Sequence, residues 1–202
     1  MKKKVLIVLM IVALIPSMLF AKTFGFNIGG TVMYNVNAGS VLDDKNAFGN
    51  INNYNFGADL RLKLLVFNIT AMGTYAGQAQ IAGHDGYHEV STMLTAGLAF
   101  DLFDFLRIGV GMGPRVSLYS NGSDWKFYDL NHSSMSDGNF GDAIKNAPMS
   151  YRATVDFLIG PVSLGMSYIV DSTYNFADAG NVGNLKPDFN AGKLGASVMF
   201  NL

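Results

Sequence analysis

Nine charged residues stand among the alternating apolar and polar positions of the chain, and they are the first candidates for chemistry. Three are acidic and six are basic, so they can pair with one another or line a narrow path for ions or solutes. Charges confined in a protein interior are costly unless they are paired, and both possibilities remain open. Asp101 and Arg107 flank the sequence LFDF and are expected to face each other across a tight turn. The nine residues are Asp59, Arg61, Lys63, Asp101, Arg107, Arg115, Arg152, Asp156 and Lys193.

A second cluster with metal-binding chemistry is the sequence HDGYHE, which places His84, Asp85, His88 and Glu89 close together. Imidazole and carboxylate groups bind Zn²⁺. The glycine between the histidines turns them away from a shared face, so we expect a solvated loop and no metal.

Nucleophilic catalysis needs a base within hydrogen-bond reach of the nucleophile. His84, His88 and His132 are the imidazole candidates, and the sequence NHSS at 131–134 has no fixed acidic partner. We therefore expect that the protein is not an enzyme. Phosphate-binding loops, paired zinc cysteines and nucleic-acid motifs are absent from the sequence, and we expect no cofactor and no nucleic-acid partner.

The first residues resemble an export signal. Lys2, Lys3 and Lys4 precede an apolar run that Pro16 interrupts, and Ala21 is a small residue suited to cleavage. This pattern predicts a signal peptide over residues 1–21 and a mature domain over residues 22–202. Eleven of the 14 basic residues then remain against 15 acidic residues, a net charge of about −4 that disfavours a polyanionic partner.

Alternation with period two recurs eight times after the predicted leader, and it indicates strands, because successive side chains of a strand point to opposite faces. The chain is only 14% charged, which is low for a soluble surface. The predicted strands cover residues 23–36, 54–64, 67–75, 90–102, 106–118, 149–159, 162–171 and 193–202.

The predicted connections alternate between short and long. Tight turns join strands 2 to 3, 4 to 5 and 6 to 7, whereas long polar loops cover residues 37–53, 80–88, 119–148 and 172–188. Short turns at one end and long loops at the other are typical of an outer-membrane barrel. The even strand count lets the last strand pair with the first, which leaves no open edge.

A soluble lipocalin-like barrel would show the same stripes with its apolar face turned inward. An eight-stranded barrel has an interior just wide enough for side chains, and some forty apolar residues do not fit inside it. The apolar face therefore points to lipid. Its phenylalanines lie toward the short-turn end and its tyrosines toward the long-loop end, as in the two aromatic girdles of membrane barrels.

The last strand resembles the C-terminal insertion signal of bacterial outer-membrane proteins, matched here by Lys193, Gly195, Val198 and Phe200, although Leu202 follows the aromatic residue. The resemblance implies recognition by the barrel-assembly machinery. In pattern, the chain is similar to small eight-stranded outer-membrane proteins of the OmpA, OmpX and OmpW type, without a periplasmic domain.

Resemblance to the OmpW type implies passage of hydrophobic molecules through a lateral opening. Pro114 falls inside strand 5, where it cannot donate to a ladder, and Pro148 precedes strand 6. These prolines mark either a lateral gap or a bulge beneath the third loop. The charged interior argues against a channel for hydrophobic molecules.

The sequence thus predicts an all-β protein, an eight-stranded antiparallel transmembrane β-barrel with an up-and-down meander, located in the outer membrane. The expected function is a small channel or transport-type barrel with a narrow charged lumen. The alternative is an adhesin or a structural protein with an inert lumen. Expected partners are outer-membrane lipid, the assembly machinery, and either a small solute or a host ligand at the loops.

Overall fold

The computed structural model describes residues 24–35, 49–81, 84–129, 134–136 and 138–202. The predicted leader and most of the first long loop lie outside the described residues. The strands are β1 Phe24–Tyr34, β2 Tyr54–Leu64, β3 Phe67–Ile81, β4 His84–Leu102, β5 Leu106–Ser120, β6 Trp125–Asp129, β7 Ser134–Ser136, β8 Met149–Ile159, β9 Val162–Asp171 and β10 Lys193–Asn201. Within the described ranges, helix α1 spans Phe140–Asn146, and 3₁₀ turns cover Ile51–Asn53, Phe176–Asp178, Val182–Leu185 and Phe189–Ala191.

Eight of the described strands form a closed antiparallel barrel, in the order β1, β2, β3, β4, β5, β8, β9 and β10. The seam between β1 and β10 runs from Asn27 opposite Asn201 to Tyr34 opposite Leu194. The predicted all-β, eight-stranded barrel with neighbouring strands consecutive is therefore confirmed. Closure pairs the backbone groups that an open sheet would leave at its edges.

Side chains alternate between an exposed apolar exterior and a buried interior, as period two requires. Outward residues such as Leu94, Val110 and Val198 are more than half exposed, whereas the inward Asp59 and Lys63 are 0% and 1% exposed. An apolar exterior around a charged interior is the reverse of a soluble barrel. It fits a hydrocarbon surrounding, in which only closed barrels and helices satisfy every backbone group.

Three tight turns lie together at one end of the barrel, between β2 and β3, β4 and β5, and β8 and β9. Leu65, Phe103 and Gly160 take positive φ angles of 57°, 61° and 60° there. Phe103 and Phe105 stack at 5.9 Å between ring centroids and are exposed. Short turns identify this end as the periplasmic side.

The predicted second and third loops are wrong in part. Instead of a loop over residues 80–88, β3 and β4 continue to Ile81 and His84, with irregular register between Ala76 and Ile81. The third loop contains the hairpin of β6 and β7, which extends the sheet from β5, and α1. Hairpin pairing of β6 with the end of β5, and of β7 with β6, formed this structure in a glycine- and serine-rich sequence that predicted only turns.

Helix α1 lies on the exterior of the barrel. Its N-terminus is capped by the Asn139 side chain, which accepts the Asp142 N–H at 3.0 Å, as caps commonly do. Ala143 and Ala147 pack against the outward Val116 of β5. The helix thereby covers an outward face that the sequence predicted to be open to lipid.

Candidate functional site

The centre of the barrel holds a network of four buried charges. Arg61 contacts the carboxylate of Asp59 through Nε at 2.9 Å and Nη2 at 2.7 Å, and its Nη1 lies 2.6 and 2.7 Å from the two oxygens of Asp156. Arg152 also pairs with Asp59, its Nη1 donating at 2.9 Å. Two guanidinium groups thus balance two carboxylates, with none of the four more than 3% exposed.

Two of these ion pairs cross the full width of the barrel. Asp59 and Arg61 lie on β2, whereas Asp156 and Arg152 lie on β8, four strands away in either direction around the closed sheet. A pair that joins opposite walls occupies the lumen at its axis. Charge-assisted bonds of this length are the strong ones, so the crossing closes the interior at this level.

Hydroxyl groups complete the central network. Arg152 donates to Thr70 at 3.2 Å, Thr70 shares a 2.6 Å bond with Thr95, and Ser197 donates to Asp59 at 3.3 Å. These positions were not singled out from the sequence, although each is an inward position of the alternating pattern and could have been found that way.

Gly165 has no side chain, and this absence leaves room for the ion pair between Arg61 and Asp156. A Cβ at this position would lie 2.5 Å from Asp156 Oδ1 and 3.4 Å from Arg61 Nη2. The inward glycine on β9 is therefore required by the approach of the ion pair and not by its backbone conformation.

A second charged layer lies nearer the periplasmic end. Lys63 Nζ and Arg107 Nε each lie 2.6 Å from an oxygen of Asp101. Arg107 also donates to Asn27 Oδ1 at 3.1 Å, and Asn27 is hydrogen-bonded to Asn201. Because Arg107 is on β5 and Asn27 is on the opposite β1, this layer also crosses the barrel.

An apolar layer lies above the central network. Met33, Met72, Met93 and Ile169 pack together, and each is 6% exposed or less. Methionine is flexible and fills irregular gaps. The layer separates the central charges from the polar groups at the extracellular end. The alternating pattern places its three methionines on the inward face but does not indicate that they pack together.

The extracellular end holds a third set of polar contacts. Arg115 lies 2.7 Å from Asp171, and Ser150 donates to the same carboxylate at 2.5 Å. Lys193 donates to Asn35 at 2.8 Å, and Ser117 donates to Glu89 at 2.9 Å. All nine charged candidates therefore point inward, divided among three levels.

Cavities open at both ends of the barrel. One of about 220 Å³ at the periplasmic mouth includes Asn27, Asp101 and Arg107 in its lining, and one of about 250 Å³ at the other end includes Arg115 and Asp171. Asp59, Arg61 and Arg152 line neither cavity. Each cavity ends at a charged layer.

Histidine and carboxylate groups do not converge in the described part of the chain, where no cluster of three or more metal-binding residues occurs. His88 Nδ1 lies 2.8 Å from the Tyr75 hydroxyl on the outward face of the sheet, whereas Glu89 points inward to Ser117. The side chain of His84 and all of His132 lie outside the described residues.

Pro114 interrupts the ladder between β4 and β5 without shifting it. Pairing stops at Met93 opposite Arg115 and resumes at Ala96 opposite Met112 in the same register. The Leu94 carbonyl closely approaches Gly113, leaving no room for a Cβ there. On the other side, Pro114 pairs with Met149, and Arg115 N–H donates to the Pro148 carbonyl at 3.0 Å. Strands β4 and β5 thus remain in contact where the ladder is interrupted beside Pro114.

The four residues of the predicted insertion signal divide between the two faces of β10. Lys193 and Gly195 point inward, Gly195 toward Met33 and Ser167, whereas Val198 and Phe200 are 54% and 58% exposed on the exterior.

Among the described residues, no helix has the length and apolar character needed to span a bilayer. No protein-family model matches the chain, and no curated protein matches it.

Solved structures of two bacterial proteins are similar to the chain in shape. Ail, the attachment invasion locus protein of Yersinia pestis, shares 12% identity over 88% of this chain and 95% of its own, with a TM-score of 0.45. Its complex with the heparin analogue sucrose octasulfate gives 14% identity over the same shares and a TM-score of 0.44. Neisserial surface protein A shares 12% identity over 90% of this chain and 97% of its own, with a TM-score of 0.43.

Closure of eight strands, an exterior of exposed Leu, Val and Phe, and an interior of paired charges together satisfy the physical requirements for a barrel in lipid. The chain is a small eight-stranded antiparallel β-barrel of the outer membrane, as its sequence predicts.

Proposed function

We propose that this protein is a surface-contact protein, in which the barrel is a closed anchor and the extracellular strands carry the function. The observation that carries the proposal is the pairing of Arg152 and Arg61 with acids on the opposite wall, which fills the lumen. It favours the inert lumen, the alternative in the sequence analysis, over the small channel that the sequence led us to expect.

The extracellular strands are long enough to form a binding platform. The 19 residues of β4, at about 3.4 Å each and a tilt of about 45°, rise by about 45 Å, compared with an apolar band of about 25 Å. Strands β3, β4 and β5 therefore extend beyond the membrane, and β6 and β7 widen the sheet that they form. We call this projecting sheet, made of residues 76–81, 84–89, 118–120, 125–129 and 134–136, the extracellular wall.

The charge of the loops limits the chemistry of the partner. The four predicted loops contain basic residues at only four positions, Lys45, Lys126, Lys145 and Lys186. Against these stand nine acidic residues, Asp43, Asp44, Asp85, Asp124, Asp129, Asp137, Asp142, Asp178 and Asp188. Long-range repulsion disfavours polyanions, so we infer a neutral or basic partner.

A cavity in the wall has suitable chemistry for such a partner. About 330 Å³ in volume, it is lined by Tyr87, Tyr119, Asn121, Ser123, Asp124 and Lys126. Aromatic faces beside amide, hydroxyl and carboxylate groups suit hydroxyl-rich or cationic ligands.

Two residues of β10 point to a second partner, the barrel-assembly machinery. Val198 and Phe200 are exposed on the exterior of the barrel. We infer that the assembly machinery recognises them before β10 pairs with β1 and closes the barrel. We propose no catalytic activity, because the charged side chains of the described interior each contact a neighbouring polar side chain.

The channel remains the second candidate, since charged groups line the cavities at both mouths. Single-channel recording on the purified barrel separates the two proposals. We expect no conductance above background for the wild type, and none after Asp101→Ala with Arg107→Ala, because the central crossing remains. Steady conductance of the wild type would establish the channel.

Binding is tested with cells that display the full chain and with a variant in which residues 121–138 are replaced by a short Gly-Ser turn. We expect the variant to lose attachment to neutral or basic surfaces and to keep its heat-modifiable gel migration. Attachment that survives this replacement would contradict the role of the wall.

A further inference from the structure

The fourth extracellular loop folds down onto the outside of the barrel. Tyr151 on β8 donates its hydroxyl to the Leu185 carbonyl at 2.8 Å, and Tyr168 on β9 donates to the Phe189 carbonyl. Both tyrosines are outward residues of their strands. The segment between Asn175 and Ala191 is therefore attached to the exterior face of β8 and β9 and not to the mouth of the barrel.

Strand length places this segment at the edge of the apolar band. The nine residues of β10 rise by about 22 Å at a tilt of about 45°, slightly less than the apolar band of about 25 Å. The turn Phe189–Ala191 ends two residues before β10 begins. It lies at the level where hydrocarbon meets the outer headgroups.

The segment presents apolar side chains although its composition is polar. Phe176, Val182 and Phe189, one from each 3₁₀ turn, are 47%, 67% and 64% exposed. Large exposed apolar side chains repeated along one loop segment make that segment a candidate contact surface.

Backbone polar groups of the segment are satisfied locally, which a position near hydrocarbon requires. The Asn175 side chain accepts the Asp178 N–H at 2.9 Å, and the Asp188 side chain accepts the Asn190 N–H at 3.0 Å. The two tyrosine hydroxyls satisfy the carbonyls of Leu185 and Phe189. The segment is thus folded in a way that tolerates reduced access to water.

Helix α1 continues the same surface around the barrel. It lies beside the turn Phe176–Asp178, packs on the outward Val116, and leaves Phe140 63% exposed. Together α1 and residues 175–191 form what we call the collar.

We propose that the collar lies in the outer leaflet and inserts Phe140, Phe176, Val182 and Phe189 at the boundary of headgroups and acyl chains. Its partner is membrane lipid, because the collar is continuous with the lipid-facing exterior of β5, β8 and β9 and at the height of that boundary. Tyrosine is suited to this position, with an apolar ring and a hydroxyl that needs a partner. The inference does not depend on what the extracellular wall binds.

The test uses site-directed nitroxide labels, for which the chain is convenient because it has no native cysteine. Val182→Cys and Phe189→Cys report on the collar. Ser123→Cys, exposed in the turn between β5 and β6, is the water reference, and Val110→Cys, 52% exposed on the exterior of β5, is the lipid reference. Each full-length protein is reconstituted in phospholipid vesicles, and heat-modifiable migration verifies folding.

Collision of the label with oxygen, which partitions into lipid, is compared with collision with a water-soluble nickel chelate. We expect both collar labels to collide several-fold more with oxygen relative to nickel than the label at 123, and to fall short of the label at 110. A ratio equal to that at 123 would overturn the proposal. Shielding from both reagents would also overturn it, because protein would then cover the collar. If Phe189→Cys fails to fold, Val182→Cys decides alone.

Discussion

Arg152 and Asp59 are 93 residues apart in the chain and form an ion pair across the full diameter of the barrel. Asp59 accepts from both Arg152 and Arg61, so a single carboxylate bridges two buried guanidinium groups, one from each wall. Arg61 is further held by Asp156. The pairing explains how an interior this rich in charge is stable away from water.

Asp59→Asn tests the importance of that carboxylate. The amide keeps the shape but leaves two buried cations short of a negative charge, and breaking a buried pair costs about 3–5 kcal/mol. We expect the free energy of unfolding in urea, measured in lipid vesicles, to fall by this amount. Asp142→Asn is the control, because Asp142 is exposed and lies 3.8 Å from Lys145. Equal effects of the two substitutions would contradict the buried network.

Removing both arginines should open the lumen. In Arg61→Ser with Arg152→Ser, the crossing is lost. Asp59 and Asp156 then remain as two negative charges on opposite walls of the lumen. We expect a small, cation-selective conductance in planar bilayers where the wild type has none. A folded double variant that stays silent would show that the methionine layer or the periplasmic layer seals the barrel without the arginines.

Gly165→Ala tests whether the network has spare room. The new Cβ would meet Asp156 and Arg61, and overpacking typically costs about 1–3 kcal/mol. Gly30→Ala on β1 is the matched control, since the nearest atom to its Cβ would be 4.0 Å away. We expect urea unfolding to shift for Gly165→Ala alone. A tolerated alanine at position 165 would mean that the ion pair moves freely.

Tyr168→Phe and Tyr151→Phe test the attachment of the collar. Each substitution keeps the ring and removes the hydroxyl donor, leaving a loop carbonyl without its partner at a cost of about 1 kcal/mol. We expect the nitroxide at position 182 to become more mobile and to collide more with the nickel chelate. Tyr75→Phe, which loses a hydroxyl contact to His88 on the wall, serves as control and should leave that label unchanged.

Pro114→Ala tests the lateral gap. Because β4 and β5 keep one register across the proline, we expect uptake of an apolar solute by cells to be unchanged and urea stability to stay the same or rise slightly. A clear fall in uptake, with folding intact, would support an opening at this position.

Much of the barrel is predictable from the sequence, because period two fixes both the strand and the face of each residue. The ends of β2, β8 and β9 match the prediction, and the inward direction of Arg61 or Asp101 follows from the same stripe. Tight turns reveal only pairings such as Asp101 with Arg107, between residues close in sequence.

Pairings across the barrel could not be predicted this way. Which carboxylate meets Arg152 depends on tilt and register summed over four strands, and no local pattern encodes that sum. The extension of β4 to His84 and the strands β6 and β7 were missed for another reason. Their polar sequences do not alternate clearly, and they are strands because they pair with β3, β5 and β6 respectively. The collar was missed because its apolar residues are scattered among Gly, Asn and Asp.

Because β4 has 19 residues and β10 only nine, the barrel is tall on one side and low on the other. A neighbouring protein that approaches β10 meets the low side of the described barrel, whereas one that approaches β3 or β4 meets the projecting sheet. Copies crowded together would tend to turn their low sides toward each other. The binding surfaces of such a cluster would then face outward and remain accessible.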